Sequence, residues 1–334
     1  MKISKFHTIV DVPAFSQQTG YLKANMFMGS CFTENIGNRM AGLKYNVDVN
    51  PFGILYNPVS IANGLRILLQ NKDFSNEDLI QANGLWHSFN HHGRFSATNP
   101  KGVLEEINNR IKSSADFLKK TDFLFLTFGT AWVYKYRKTR QFVSNCHKIP
   151  SSEFERVRLS VEDIVSEYRE LFTDIRKLNP SFNVIFTVSP IRHWKDGAVE
   201  NQRSKAVLLL AIDQLISDCG KDFCSYFPAY EIMMDELRDY RFYAEDMIHI
   251  SNVAVDFIWE KFETSIIDKE SQGIAMQVQK IVKAYNHRPL HKKTKEYIRF
   301  LKKMEEETAR LEQNHKHLNF SIEKEYFITG NDKN

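Results

Sequence analysis

Residues 122–128, DFLFLTF, run almost wholly apolar with no alternation of hydrophobic and polar side chains. A strand of that kind has no face to offer water, so it belongs inside a parallel sheet covered on both sides by helices. Residues 26–28, Met-Phe-Met, and 183–188, NVIFTV, read as further buried strands, and 224–227 as a last short one. Between them lie helical patterns at 59–69, 105–117 and 201–217, and one at 160–177 with a serine cap and an acidic first turn. Residues 131–143 read as a hairpin. Strands alternating with helices in this order predict a three-layer α/β fold with a parallel sheet.

In residues 24–38, ANMFMGSCFTENIGN, the first apolar run stops at Gly29-Ser30 and an amphipathic helix with Glu34 in its first turn follows. Ser30 is therefore placed on a strand-to-helix turn. Such a turn suits a nucleophile, because the N–H groups and positive dipole end of the helix can stabilise an oxyanion, and Gly29 lets the backbone turn sharply. The competing reading is that Ser30 only caps the helix. Far downstream, Asp246-Met247-Ile248-His249 puts an acid three residues before a histidine. At that spacing the carboxylate can reach the imidazole Nδ1, fix its tautomer and leave Nε2 for a serine brought in by the fold.

Gly29-Ser30-Cys31-Phe32-Thr33 matches the GSCFA motif with Thr33 in place of the final Ala, and the chain resembles the GSCFA-domain family, an offshoot of the SGNH (GDSL-type) hydrolases. The resemblance also takes in Asn50-Pro51-Phe52-Gly53, Gly129-Thr130-Ala131-Trp132, Asn145-Cys146-His147, residues 189–193 and residues 201–206, so it spans most of residues 1–262. It implies a flavodoxin-like SGNH fold, with Ser30 as nucleophile, His249 as general base and Asp246 as its orienting acid. The implied activity is that of an esterase or O-acyltransferase, acting on an O-acyl, chiefly O-acetyl, group of a carbohydrate or other polar metabolite. The mechanism needs no metal and no organic cofactor.

For the oxyanion hole the resemblance implies the Ser30 N–H and the Gly53 N–H, where Gly53 also reads as a plain turn glycine. The commoner GxND block of the superfamily, which gives an asparagine side chain, is absent here: Ala131 and Trp132 stand in its last two places. A third donor is then expected from Thr130, Asn145 or His147. Residues 82–100 combine Trp86, His87, His91, His92 and Arg94 and read as a substrate-facing loop; without a nearby carboxylate or thiolate their histidines make a poor metal site. Arg192 is placed to grip an anionic or polyhydroxylated substrate, and His193 beside it rivals His249 as base. His249 is preferred because it carries an acid at a matching spacing. Cys31 is the rival nucleophile.

Net charge is +4 over 334 residues, which gives no case for a nucleic-acid protein. Four cysteines in no regular framework suggest free thiols in a reducing compartment, and no run reaches the length of a signal-peptide core or a membrane span, so a cytoplasmic protein is expected. Two regions are expected: a catalytic domain over 1–265 and a helical extension with a tail over 266–334. In the extension, Val278, Ile281 and Val282, then Ile298, Leu301 and Met304, give two apolar stripes on either side of Pro289, enough for a helical hairpin packed on the body or against a second copy. The basic run that starts at Lys292 reads as a solvated helix surface. The alternative to an enzyme is a non-catalytic binding or assembly module that keeps the fold.

Overall fold

The computed structural model describes residues 7–291 and 294–330; the start of the N-terminal arm, Lys292 and Lys293 of the basic run, and the last four residues of the tail lie outside them. At its centre are β1 (Asn25–Gly29), β2 (Val47–Val49), β3 (Phe123–Phe128), β4 (Asn183–Val188) and β5 (Cys224–Tyr226). They form one sheet in the order β5-β4-β3-β1-β2, and every pairing is parallel. This is the flavodoxin-like order, in which the chain reverses direction across the sheet between β1 and β3.

The expectation of helices on both faces follows through residue by residue. Each residue of β1 and β3 is buried. Met26, Met28, Leu124, Leu126, Phe128, Val184 and Phe186 point to one face, where α2 (Pro58–Gln70), α3 (Pro100–Leu118), α4 (Val161–Leu178) and α5 (Gly197–Cys219) cover them. The alternate residues Phe27, Phe123, Phe125 and Ile185 point to the other, under α1 (Cys31–Gly42) and α6 (Asn252–Ile266). Phe27 and Phe125 stack there with ring centroids 4.3 Å apart. Period-two alternation thus divides one apolar sequence between two cores.

Two small antiparallel sheets flank this body. Leu79–Ala82 pairs with Leu85–Ser88 across an Asn83-Gly84 turn in which both residues have positive φ, and Trp132–Tyr136 pairs with Phe142–Val143 and with Phe154–Arg158. After α6 come α7 (Lys269–Asn286), α8 (Lys295–Asn314) and α9 (Ser321–Thr329). Their residues Ile274, Val278, Ile281, Leu301, Met304 and Phe327 join the same cluster as α1 and α6, so the extension packs on the body through one continuous core. Ile298, expected in the apolar stripe, points outward. Among the described residues, no helix is long and apolar enough to cross a membrane.

Candidate active site

β1 ends at Gly29, whose φ of +149° is one that L side chains rarely adopt. A Cβ there would lie 2.4 Å from the Thr127 carbonyl oxygen on β3 and 2.9 Å from Thr33 Oγ1. The turn that carries Ser30 therefore depends on glycine. Gly29→Ala is expected to cost about 2–4 kcal/mol, measured by urea unfolding; a loss below about 1 kcal/mol would show that the turn tolerates a side chain.

Ser30 stands at the N-cap of α1 and is 1 % exposed. Its side chain makes no cap hydrogen bond, and its buried hydroxyl has no partner among the described residues. The serines at the other caps behave differently: Ser75, Ser160 and Ser251 each accept a hydrogen bond from a backbone N–H of the helix they start. A cap serine without its bond loses on the order of 1 kcal/mol, and a buried hydroxyl left unpaired loses more. Ser30 is held against both costs.

Beside it, Asn50 follows β2 with φ +44° and is buried. Its Oδ1 accepts the Gly29 N–H at 2.9 Å, while its Nδ2 is a buried donor with no partner among the described residues. Asn50 is the residue that sequence reasoning passed over. Its only signal was its place at the head of the Asn50-Pro51-Phe52-Gly53 turn.

The Asp246–His249 unit is built locally. Met247, at φ +59°, closes a turn in which its N–H reaches the Ala244 carbonyl, and Tyr243 and Ile250 bridge below it. One oxygen of Asp246 accepts the N–H groups of Ile248 and His249 at 3.0 and 2.9 Å; the other accepts His249 Nδ1–H at 2.5 Å. The imidazole contact first, then the two N–H groups, hold the Asp246 carboxyl down at about 2. With Nδ1 carrying the proton, Nε2 is left as an acceptor. The His249 side chain is 57 % exposed and is not hydrogen-bonded to Ser30.

The other expected site residues are placed as follows. Gly53 gives its N–H to the Asn50 carbonyl at 2.8 Å, closing a tight turn, so that group is not free for an oxyanion. Thr130 gives its N–H to the Tyr56 carbonyl and its hydroxyl meets Ser204 Oγ at 3.1 Å. Asn145 turns its side-chain oxygen onto the His147 N–H. His147 is buried, donates from Nε2 to the Ser88 carbonyl and stacks on His87 at 4.3 Å, and burial pulls its pKa down to about 4.

Residues 82–100, expected as a substrate-facing loop, divide: Arg94 is exposed and donates to the Asn50 carbonyl at 2.7 Å and to Glu34 at 2.9 Å, beside the Ser30 turn, whereas the hairpin residues turn inward. His87 and His91 are buried, engaged with Ser96, Ala82 and Ser88, and Trp86 packs against the core under α3. Burial drives the His91 imidazole to the neutral form, and the apolar wall of Phe52, Phe74 and Phe95 around it gives the reason.

At the end of β4, Arg192 is half-buried, with Nη2 3.6 Å from Met234 Sδ. The His193 imidazole is pushed down by burial and has no hydrogen bond among the described residues; only its backbone N–H is bonded, to Asn201 Oδ1. It thus lacks the hydrogen-bonded acid that His249 has; Asp196, which acts on it through space, is paired with Arg156. Burial also pushes the Cys31 thiol up, which works against a thiolate nucleophile.

Several solved structures resemble this fold at low identity. A carbohydrate esterase family 3 protein from Talaromyces cellulolyticus is 10% identical, with 77% of this chain and 99% of that one covered and a TM-score of 0.34. The family 3 carbohydrate esterase of Clostridium thermocellum is 11% identical over 73% and 94%, with a TM-score of 0.32. An acetyl esterase mutant with acetate ion is 11% identical over 77% and 99%, with a TM-score of 0.34. No curated protein matches the sequence. The GSCFA family model matches residues 25–262, and the model for the C-terminal domain of GSCFA domain proteins matches residues 278–329. The chain belongs to the GSCFA family.

Proposed function

We propose that this protein is a serine-dependent acyl-ester hydrolase or O-acyltransferase working through Ser30, His249 and Asp246. The observation that carries the reading is the Ser30 hydroxyl, buried at a helix N-cap with no hydrogen-bond partner among the described residues, at the sheet edge where α/β folds bind ligands. His249, locked by Asp246 with Nε2 free to accept, supplies the base. Catalytic hydrogen bonds are often long or absent until substrate binds, so the reading requires the Asp246–His249 loop to close on Ser30 in the substrate complex.

In the acylation step Ser30 Oγ attacks the ester carbonyl carbon and its proton passes to His249 Nε2. The oxyanion is met by the first turn of α1 and by the Asn50 Nδ2 donor, which costs no reorganisation because it is already buried and unpaired among the described residues. The C–O bond breaks, the leaving alkoxide takes the proton from His249, and an acyl-Ser30 remains. Water, or a hydroxyl of a second polar molecule, then attacks with His249 again as base. The depth of Ser30 favours a small acyl group, acetyl before longer chains. Arg192, at the carboxyl end of β4, would contact the alcohol portion, for which a carbohydrate is the leading class.

Acetate release from acetylated xylo-oligosaccharides and from p-nitrophenyl acetate tests this. The wild type should release acetate from both, and should release octanoate from octanoate esters at least about tenfold more slowly. A folded wild-type protein that turns over none of them would rule the acetyl reading out.

A further inference from the structure

The first two turns of α5 carry three buried polar residues on one face, Asn201, Ser204 and Lys205. Each gathers a loop at the carboxyl edge of the sheet. Asn201 Oδ1 accepts the His193 N–H, and Ser204 Oγ accepts the Ala131 N–H at 2.8 Å. Lys205, fully buried, donates from Nζ to the carbonyls of Gly129 at 2.8 Å, Ser189 at 2.7 Å and Ile191 at 3.0 Å. Those carbonyls follow β3 and β4, and no carboxylate pairs with this ammonium among the described residues.

We infer that Lys205 is a positioning residue for the Ser30 site, whose ammonium holds the ends of β3 and β4 in the reactive arrangement only while it is protonated. The inference rests on the serine-esterase reading above. An ammonium has three N–H donors, one for each carbonyl; a neutral amine has two and a lone pair, which would face the third oxygen. Losing the proton therefore frees Gly129 or the 189–191 loop. Gly129 lies two residues beyond Thr127, the register partner of Gly29, so its placement shapes the wall beside Ser30. The cation also acts on Cys31, the residue after Ser30, so it favours negative charge developing at this turn.

Burial pulls the Lys205 pKa down to about 7, with Cys31 opposing that shift and Arg192 adding to it. The groups that face it are Cys31 on α1, Arg192 and His193 after β4, and the Tyr230 ring, 5.5 Å from Nζ. No carboxylate among them holds the proton on, so its loss across neutral pH is the expected behaviour.

The test is the rate of Ser30 phosphonylation by a fluorophosphonate between pH 5.5 and pH 9.5, for wild type, Lys205→Met and Lys205→Arg. Wild type should show an alkaline decline beginning near neutrality. Lys205→Met should be slowed about tenfold or more at pH 6.5 and should lose the decline. Lys205→Arg, charged throughout, should also lose the decline while keeping more of the rate than Met. A purely structural lysine would lower the rate without changing the shape of the profile. An unaltered alkaline limb in Lys205→Met overturns the inference and leaves the esterase reading standing, whereas a folded wild type that is labelled at no pH overturns both. Should both variants fail to fold, ¹⁵N NMR of lysine Nζ in the wild type decides: a lysine titrating near neutral pH supports the inference, and none titrating below about pH 9 overturns it.

Discussion

Ser30→Ala should lower kcat/KM for acetyl esters by at least about 10³-fold, with urea stability unchanged or slightly raised. The rate falls because the attacking oxygen is gone, and what remains is binding and oxyanion stabilisation. Stability should not fall, because the hydroxyl removed is buried and makes no hydrogen bond among the described residues; its loss relieves an unsatisfied group. The combination separates a nucleophile from a helix cap. A cap serine replaced by alanine loses about 1 kcal/mol of stability and has no reason to lose activity.

The second large effect is expected at the acid. Asp246→Asn keeps the size of the side chain and can still accept the Ile248 and His249 N–H groups. What changes is the atom facing Nδ1, where an NH₂ group can replace the acceptor oxygen. The imidazole must then turn Nδ1 into an acceptor and carry its proton on Nε2, the nitrogen that has to receive the Ser30 proton. Loss of kcat by about 10³–10⁴-fold is expected, with the structure retained. His249→Ala should do at least as much.

The pH dependence follows from the same contact. The Asp246 carboxyl is depressed, so its stabilising contact with His249 is complete above the ordinary carboxylate pKa and is lost only as pH falls through about 2. Asp246 therefore stays ionised across the working range. An acid limb of kcat/KM near pH 4 in the wild type would mean that the carboxylate is not held as the structure has it.

How much of this could be read from the chain alone depends on how far apart the interacting residues lie. Strand 183–188 was placed to the residue and 122–128 to within one, because a strand buried on both faces writes its burial into consecutive positions. The Asp246–His249 unit was equally legible: its hydrogen bonds all fall within a few residues. The burial of His87 within residues 82–100 was not legible, since the ring it stacks on, His147, is 60 residues away in the chain, although the Asn83-Gly84 pair carries a hairpin signal. The short strand Phe154–Arg158 was missed for a similar reason, as its partner Trp132–Tyr136 defines it. Asn50 meeting Gly29 and Lys205 meeting Gly129 are products of the fold, and neither pattern nor spacing announces them.

The oxyanion hole illustrates the same limit. Gly53 read equally as an oxyanion donor and as a plain turn glycine; a turn closes on its N–H, and the donor without a partner among the described residues is the side chain at the start of that turn. Which groups of such a loop face the site is decided by backbone bonds that residue types leave open.

The central claim, an activated serine at residue 30, is tested most directly by intact-protein mass spectrometry after a fluorophosphonate probe. Wild type, Ser30→Ala and Cys31→Ala would be compared as folded proteins. We expect one adduct on the wild type and on Cys31→Ala, and none on Ser30→Ala. An adduct that survives Ser30→Ala, or no adduct on the folded wild type, would contradict the account and leave the fold as a binding module.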